Sequence, residues 1–200
     1  MINKLQFWAK KPNLKLKGFI KSDKARVALD LGCGNGVNSI FLAENGYKVD
    51  AIDFDSEAIN ILEKQIKNKK LNIQTFNQNI RNFEFPKNKY SLVLALNTLE
   101  FFKLSEVKKI INKIYESLLP SGIFYMIDFS TRDPFYKKCK AELKEIESGT
   151  FFVPKFDSFR HFFTKKDFTV LQGFKVTKTN EISINQHDTN RYLIEIIAKK

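Results

Sequence analysis

Residues 27–36 read VALDLGCGNG, in which a short apolar strand runs directly into glycines at every second position. Gly32, Gly34 and Gly36 let the backbone adopt positive φ angles and approach a ligand with no Cβ in between. The apolar-periodic helix that follows from Val37 directs its free N–H groups at the same point. The stretch therefore predicts a strand–turn–helix unit that binds a cofactor, without identifying which cofactor it is.

A second acidic strand end narrows the choice of cofactor. The helix is expected to stop at Gly46, residues 47–52 read YKVDAI as a second strand, and Asp53 follows it. In dinucleotide sites, a carboxylate about twenty residues beyond the first glycine accepts hydrogen bonds from ribose hydroxyls. The dinucleotide fingerprint has a small residue at the position that Val37 occupies in this chain. An adenosyl group without a pyrophosphate therefore fits this loop better than a dinucleotide.

The glycine loop and the acidic end of the second strand resemble motifs of the class I S-adenosylmethionine-dependent methyltransferases. Over residues 29–47 the pattern LDLGCGNGxNSxxLAxNGY is similar, nearly residue for residue, to the TehB-type tellurite-resistance methyltransferases. Residues 120–122, Pro-Ser-Gly, stand where the family has Pro-Gly-Gly before its fifth strand. The resemblance implies methyltransferase activity, with S-adenosylmethionine as cofactor and S-adenosylhomocysteine as product.

The rest of the chain alternates between strand and helix patterns. Apolar runs predict strands at residues 72–76, 90–96 and 123–129, and helices beginning at Asp55 or Ser56, at a cap on Ser105, and after Pro134. The helix capped by Ser105 carries Leu118 on its apolar stripe, and the helix after Pro134 is expected to reach Glu147. A short helix at 165–171, capped by Thr164, and strands at 174–181 and 192–199 complete the prediction.

Together with the resemblance, this order implies an α/β, Rossmann-like class I methyltransferase fold. We expect a seven-stranded, mostly parallel sheet with an antiparallel C-terminal hairpin and helices on both faces. A chain of 200 residues with 43% apolar side chains is within the size of one domain. Residues 1–200 are therefore expected to form a single methyltransferase domain, with residues 1–24 as a candidate cover for the cofactor site.

Composition limits the location and the partners. No apolar run approaches the roughly 18 residues that span a bilayer, and the N-terminus lacks the apolar segment of a signal peptide, so a cytoplasmic protein without a membrane partner is expected. The chain has only two cysteines and two histidines, so no metal site is expected. Cys33 is interpreted as a small buried thiol. The sequence leaves a monomer and a homodimer equally open.

The net charge of +12 raises the question of a nucleic-acid substrate. The 34 basic residues comprise 29 lysines and 5 arginines, scattered through the chain. Nucleic-acid readers usually rely on arginine and concentrate their charge on one face. The Asn-Pro-Pro-Tyr signature of amino-group DNA methyltransferases is also absent after the fourth strand. A nucleic-acid partner therefore stays open but is not favoured.

Ligands of open α/β sheets bind beyond the carboxyl ends of the strands. Under the resemblance, the glycine loop faces the methionine part of the cofactor, Asp53 the ribose, and Phe54 one face of adenine. Asn79 stands where the family has an aspartate, and its side-chain oxygen can still accept a hydrogen bond from the adenine amino group, with weaker binding. The predicted cofactor residues are Asp30, Gly32, Cys33, Gly34, Gly36, Asn38, Asp53, Phe54, Asn79, Ile80 and Leu96.

Methyl transfer from a sulfonium depends mainly on alignment and on exclusion of water. Asn97 and Thr98 follow the fourth strand and are expected near the transferred methyl group. An oxyanion acceptor would also need cationic or hydrogen-bonding side chains. The candidates in the C-terminal half are Arg132, Arg160, His161, His187 and Arg191.

The Arg191-Tyr192 step matches the arginine and aromatic residue that precede the last strand in TehB-type proteins. We therefore predict Asn97, His187 and Arg191 as catalytic residues, with ordinary loop or surface roles left open for the two basic ones. The acceptor is expected to be a small molecule or a chalcogen oxyanion such as tellurite or selenite. An RNA or protein methyltransferase, and a non-catalytic module that binds S-adenosylmethionine, remain alternatives.

Overall fold

The computed structural model describes residues 9–20, 26–168, 173–186 and 189–200. Its main feature is a seven-stranded sheet. The strands are β1 Val27–Leu31, β2 Lys48–Asp53, β3 Ile73–Asn77, β4 Tyr90–Leu96, β5 Leu118–Phe129, β9 Lys175–Gln186 and β10 Thr189–Lys199. Their order across the sheet is β3-β2-β1-β4-β5-β10-β9. Strands β1 to β5 pair in parallel, and β10 pairs antiparallel with both β5 and β9. The expected Rossmann-like sheet with an antiparallel C-terminal hairpin is confirmed.

Alternation along the strands separates two apolar faces. On one face, Val93 and Phe124 pack with the apolar stripe of helix α3, Leu104–Ser117. On the other face, neighbouring strand residues such as Leu92 and Tyr125 pack with helix α1, Val37–Glu44, and Ala51 packs with helix α2, Ser56–Lys69. Helices therefore cover both faces, as the sequence predicts.

The first helix ends, and the second begins, where the sequence places their signals. Gly46 lies in the left-handed region, at φ 86°, directly after the end of α1. Asp55 caps α2 by accepting a hydrogen bond from the N–H of Glu57 at 3.0 Å. These local signals fix the two connections that bring the ends of β1 and β2 to the same edge of the sheet.

The third helix differs from its prediction at both ends. Helix α3 begins at Leu104, and Ser105 donates from its N–H and hydroxyl to Glu147 rather than capping the helix. The side chain of Glu106 closes the first turn by accepting from the Lys103 N–H at 3.2 Å. The helix ends at Ser117, and Leu118 already pairs with Tyr90 as the first residue of β5. Placing Leu118 on the helical stripe was therefore wrong.

A second, three-stranded sheet occupies the region that the sequence assigns to a helix and loops. Helix α4 covers Pro134–Glu142 and does not extend to Glu147. Strands β6 Glu145–Glu147, β7 Thr150–Val153 and β8 Ser158–His161 pair antiparallel in sequence order. Buried Phe151 and Phe162 pack with Cys139 of α4, so the small sheet has an apolar cluster of its own.

Two further segments complete the description. The predicted helix at 165–171 is a 3-10 turn over Lys165–Phe168, where the Thr164 N–H and hydroxyl donate to Asp167; residues 169–171 lie outside the described part of the chain. A second 3-10 turn, Leu14–Phe19, buries Leu16 and Phe19 against the sheet face that carries α1. Among the residues described, no helix combines the length and apolar character needed to cross a bilayer.

Candidate cofactor and acceptor site

The glycine loop after β1 has a left-handed backbone at all three glycines. The φ angles are 65° at Gly32, 54° at Gly34 and 80° at Gly36. A Cβ added to Gly32 would lie 2.5 Å from the Thr98 hydroxyl oxygen, and one added to Gly36 would lie 2.3 Å from a methyl carbon of Leu62. The first and last glycines are therefore required by packing within the protein, in addition to any approach of a ligand.

Asp53 joins the end of β2 to this loop. One carboxylate oxygen accepts from the Gly34 N–H at 2.8 Å, and the other accepts from the Asp55 N–H at 2.9 Å. Burial raises the pKa of Asp53, while the backbone N–H donors oppose that shift. Phe54, the next residue, keeps 75% of its surface exposed. The carboxylate and the exposed ring thus lie side by side at the carboxyl edge of the sheet.

Asp30 lies near the carboxyl end of β1, just before the glycine loop. Its carboxylate accepts from the hydroxyl of Ser39 in α1 at 2.6 Å and is 2% exposed. Burial raises its pKa to about 7, with a smaller contribution from the negative charge of Asp53. Cys33 is buried in the same loop as a free thiol, and burial raises its pKa as well. Asn38, in the first turn of α1, accepts from the Asn13 N–H.

Residues after β3 and β4 form the neighbouring strand ends. The Asn79 side chain accepts from the Arg81 N–H at 2.9 Å and caps a 3-10 turn, while Ile80 is buried in the core. Leu96 is half-buried at the end of β4. Asn97 is exposed with φ 53°, and its N–H donates to Ile127. The buried Thr98 hydroxyl donates to Leu31, which ties β4 to the strand that leads into the glycine loop.

These residues fit an adenosyl cofactor. A carboxylate fixed by backbone N–H groups, an exposed aromatic ring next to it, and a loop that starts a helix are the features that hold a ribose, a base and a polar tail. The Asp53 carboxylate adds negative charge, which suits a ligand with a positive sulfonium. No group of three or more His, Cys, Asp or Glu suited to a metal occurs within the described ranges.

Known proteins are similar to this chain in sequence. Residues 28–122 match the model of a methyltransferase domain family. The chain is 34% identical over 134 residues to the ribosomal protein L11 methyltransferase of Campylobacter concisus, covering 64% of this chain and 46% of that protein. It is 29% identical over 124 residues to the methyltransferase TehB of Haemophilus influenzae, covering 58% of this chain and 43% of that protein.

Solved structures show the same fold. A SAM-dependent methyltransferase from Methanosarcina mazei superposes with a TM-score of 0.78 at 24% identity, covering 95% of this chain and 98% of that one. The crystal structure of TehB from Haemophilus influenzae superposes with a TM-score of 0.73 at 20% identity, covering 98% of this chain and 65% of that one. Over residues 28–122 the chain is therefore similar to a methyltransferase domain, and its fold is that of the class I S-adenosylmethionine-dependent methyltransferases. This similarity supports the cofactor that the sequence predicts, S-adenosylmethionine.

The chain is shorter than the curated proteins it matches. The chain spans 46%, 60% and 51% of three of these relatives, one of which is the L11 methyltransferase. The similarity to TehB is confirmed, whereas the acceptor is not shared among the relatives, since one of them is named for ribosomal protein L11.

The basic candidate residues of the C-terminal half have different surroundings. Arg191 makes two hydrogen bonds to buried Asp133, from Nε at 2.8 Å and from Nη2 at 3.0 Å. Arg132 is exposed and pairs with Glu181 at 3.2 Å. His161 is buried, with Nδ1 2.8 Å from the Thr150 hydroxyl, and burial lowers its pKa to about 4. His187 lies outside the described residues, so its predicted catalytic role remains a prediction.

Three acidic residues of this edge were missed by sequence reasoning. Asp128 of β5 accepts from the N–H groups of Thr98, Leu99 and Glu100 and so shapes the loop after β4. Burial and the nearby Glu100 raise the pKa of Asp128. Glu100 itself is 4% exposed, and Asp133 caps α4. An acid next to the last residue of an apolar strand, as Asp128 is, was the available signal for this cluster.

Proposed function

We propose that this protein transfers the methyl group of S-adenosylmethionine to a small-molecule acceptor, with a chalcogen oxyanion among the candidates. The observation that supports the proposal is the hydrogen bond from the Gly34 N–H to Asp53, which holds that carboxylate, the proposed ribose ligand, against the glycine loop. When bound, the cofactor supplies a methyl group that its positive sulfur has already activated. The protein then has to align the acceptor and exclude water.

Four of the predicted residues have a stated task in this proposal. Asp53 accepts from the ribose hydroxyls with the lone pairs that the Gly34 and Asp55 N–H groups leave free. Phe54 offers its exposed ring to one face of adenine. Asn79 already accepts from the Arg81 N–H, so an adenine amino group would share that oxygen. Asn97, exposed at the end of β4, is the proposed contact near the transferred methyl group.

Residues before β1 support a cover over this site. The Asn35 side chain donates to Ala9 at 3.4 Å, and the Asn13 N–H donates to Asn38 at 2.9 Å. Both contacts join the N-terminal segment to the glycine loop and the start of α1. The proposal therefore includes residues 9–20 as one wall of the cofactor site within a single domain. A cytoplasmic location also stays a prediction.

A protein acceptor is the second candidate. It is favoured by the identity to a ribosomal protein L11 methyltransferase, which is higher than the identity to TehB. The small sheet β6 to β8 favours a small acceptor instead, because β8 packs on the 3-10 turn Leu99–Phe101 that follows β4. A macromolecular substrate would need open access to that edge of the domain.

The test is a turnover assay that follows formation of S-adenosylhomocysteine. Purified protein would be incubated with S-adenosylmethionine and selenite, tellurite, a thiol, ribosomal protein L11 or total RNA, with Asp53→Ala as the inactive control. Turnover with a small acceptor, lost in Asp53→Ala, is the expected result. Turnover with L11 or RNA alone would replace the small-molecule assignment. Cofactor binding with no turnover on any of these acceptors would favour a non-catalytic module.

A further inference from the structure

A buried polar cluster lies at the acceptor edge, past the ends of β4 and β5. Glu100 belongs to the 3-10 turn that continues from Asn97, and Arg160 reaches it from β8. The Arg160 Nε lies 3.9 Å from a Glu100 carboxylate oxygen, and their side chains are 13% and 5% exposed. This separation is longer than a hydrogen bond. The two charged groups therefore attract each other, but no hydrogen bond joins them.

The other charges of the cluster are already satisfied. Arg191 donates from Nε and Nη2 to the two carboxylate oxygens of Asp133, which forms a fork-to-fork pair. The carboxylate of Asp128 is held by three backbone N–H groups. Two of the three guanidinium nitrogens of Arg191 are therefore committed to Asp133, which weakens the role predicted for it. Arg160 and Glu100, in contrast, are not joined to each other by a hydrogen bond.

The guanidinium of Arg160 is fixed in place yet incompletely used. Nη1 donates to the Ser158 hydroxyl and to the Phe159 carbonyl, both at 2.8 Å. The guanidinium carbon lies 4.1 Å from the ring centre of Phe101 and 5.2 Å from that of Phe156. Nη2 makes no hydrogen bond to the described residues, and the side chain retains some exposure. A rigid arginine with a free donor suits a planar anionic group.

Glu100 provides the opposing charge. One of its carboxylate oxygens is buried with no partner among the described residues. Burial raises the pKa of Glu100 to about 7, against the lowering effects of Arg160, Arg191 and a hydrogen bond from the Phe129 N–H, while Asp133 adds to the rise. Asp128 is its other acidic neighbour. Near neutral pH, this carboxyl can therefore gain or lose a proton at small cost.

We propose that Arg160 anchors an anionic group of the methyl acceptor, a carboxylate or an inorganic oxyanion, and that Glu100 is a positioning residue which holds the guanidinium until the anion replaces it. The proposal rests on the proposed function and names its substrate class. When the anion binds to the Nη2 side of Arg160, the Glu100 carboxylate takes a proton from solvent. One negative charge, now that of the bound anion instead of Glu100, then lies beside the guanidinium.

The proposal predicts a particular pH dependence. A carboxylate ligand stays ionised between about pH 6 and about pH 8, whereas Glu100 loses its proton in that interval. Ionised Glu100 repels the bound anion and competes for Arg160. Benzoate binding should therefore be tighter at about pH 6 than at about pH 8, and Glu100→Gln should remove the difference. An amine acceptor would show the opposite order.

The experiment is calorimetric titration of the protein with benzoate and with selenite, in the presence and absence of S-adenosylhomocysteine. Benzoate tests an organic carboxylate beside the half-exposed Phe101 ring, and selenite tests an inorganic oxyanion. Arg160→Met should weaken binding at least about tenfold, because a charge-assisted hydrogen bond is lost. Arg26→Met, at the remote Asn45 carbonyl, is the matched control and should bind as the wild type does.

Several results would overturn the anion site. These are equal binding by Arg160→Met and the wild type, absence of binding of both anions, or binding of benzylamine that Glu100→Gln abolishes. Arg160→Lys keeps the charge and carries the test if Arg160→Met does not fold. Failure of the wild type to bind S-adenosylhomocysteine would count against the proposed function instead. In that case, anion binding that depends on Arg160 would still support the site.

Discussion

At the scale of single residues, Asp53 has two tasks that can be separated by substitution. Asp53→Ala removes both the proposed ribose contact and the acceptor for the Gly34 N–H. We expect S-adenosylmethionine binding to weaken by more than about tenfold, since a hydrogen bond to a charged group contributes on the order of 1.5–3 kcal/mol. Asp53→Asn retains an oxygen for the loop and should weaken binding less. Calorimetric titration measures both, and unchanged affinity in Asp53→Ala would contradict the role.

The Arg191–Asp133 pair is expected to act on stability. Asp133 is fully buried and Arg191 is 21% exposed, so Arg191→Ala leaves a buried carboxylate without its main partner. The free energy of unfolding should fall by about 3 kcal/mol, at the low end for a broken buried pair because Arg191 keeps some contact with solvent. Urea denaturation measures this loss.

A double-variant cycle provides the control for that pair. Asp133→Asn retains the oxygen that caps α4, so the double variant should recover part of the loss seen in Arg191→Ala. If Arg191→Ala keeps full stability and loses only turnover on selenite or tellurite, Arg191 contacts the acceptor as the sequence predicts.

At the scale of elements, the glycine loop and α2 are joined through Gly36. Its φ of 80° and the 2.3 Å approach of a Leu62 methyl carbon to an added Cβ leave no space for alanine. Gly36→Ala should lower the free energy of unfolding by about 2 kcal/mol, from backbone strain and overpacking. Gly18→Ala is the matched control, because nothing lies within 4 Å of its added Cβ. Equal melting temperatures in the two variants would contradict this coupling.

The elements that the sequence predicted are those with strong local signals. The apolar run of β4 and the Asp55 cap of α2 identify their elements without any tertiary information. Strands β6 to β8 escaped prediction because they have only three or four residues, too few to establish a period. The lysine- and glutamate-rich stretch after Pro134 favours a helix locally. Pairing of Glu145 with Phe151 overrides that preference.

At the scale of the whole molecule, the residues proposed for the cofactor were easier to bring together from the sequence than those proposed for the acceptor. Asp30, the glycines and Asp53 occur within 24 residues of sequence, so spacing alone places them together. Glu100 and Arg160, like Asp133 and Arg191, come from separate elements that only the completed topology brings into contact. No local pattern in the sequence encodes such pairs.

Global stability should respond to the buried acid of β1. The pKa of Asp30 is about 7 in the folded protein against 3.8 for an unburied aspartate, so the native state binds the extra proton between these values. Its contribution to stability is complete below about pH 4 and is lost as the pH rises through about 7. Relative to Asp30→Asn, the wild type should lose on the order of 4 kcal/mol across that window. Denaturation at several pH values tests this, and a constant difference would contradict it.

The central claim is that the glycine loop and Asp53 bind S-adenosylmethionine. The most direct test is calorimetric titration of the wild-type protein with S-adenosylmethionine and S-adenosylhomocysteine. We predict one site for each ligand with a Kd in the micromolar range, about −8 kcal/mol in binding free energy. The absence of binding of both ligands to folded protein would contradict the claim.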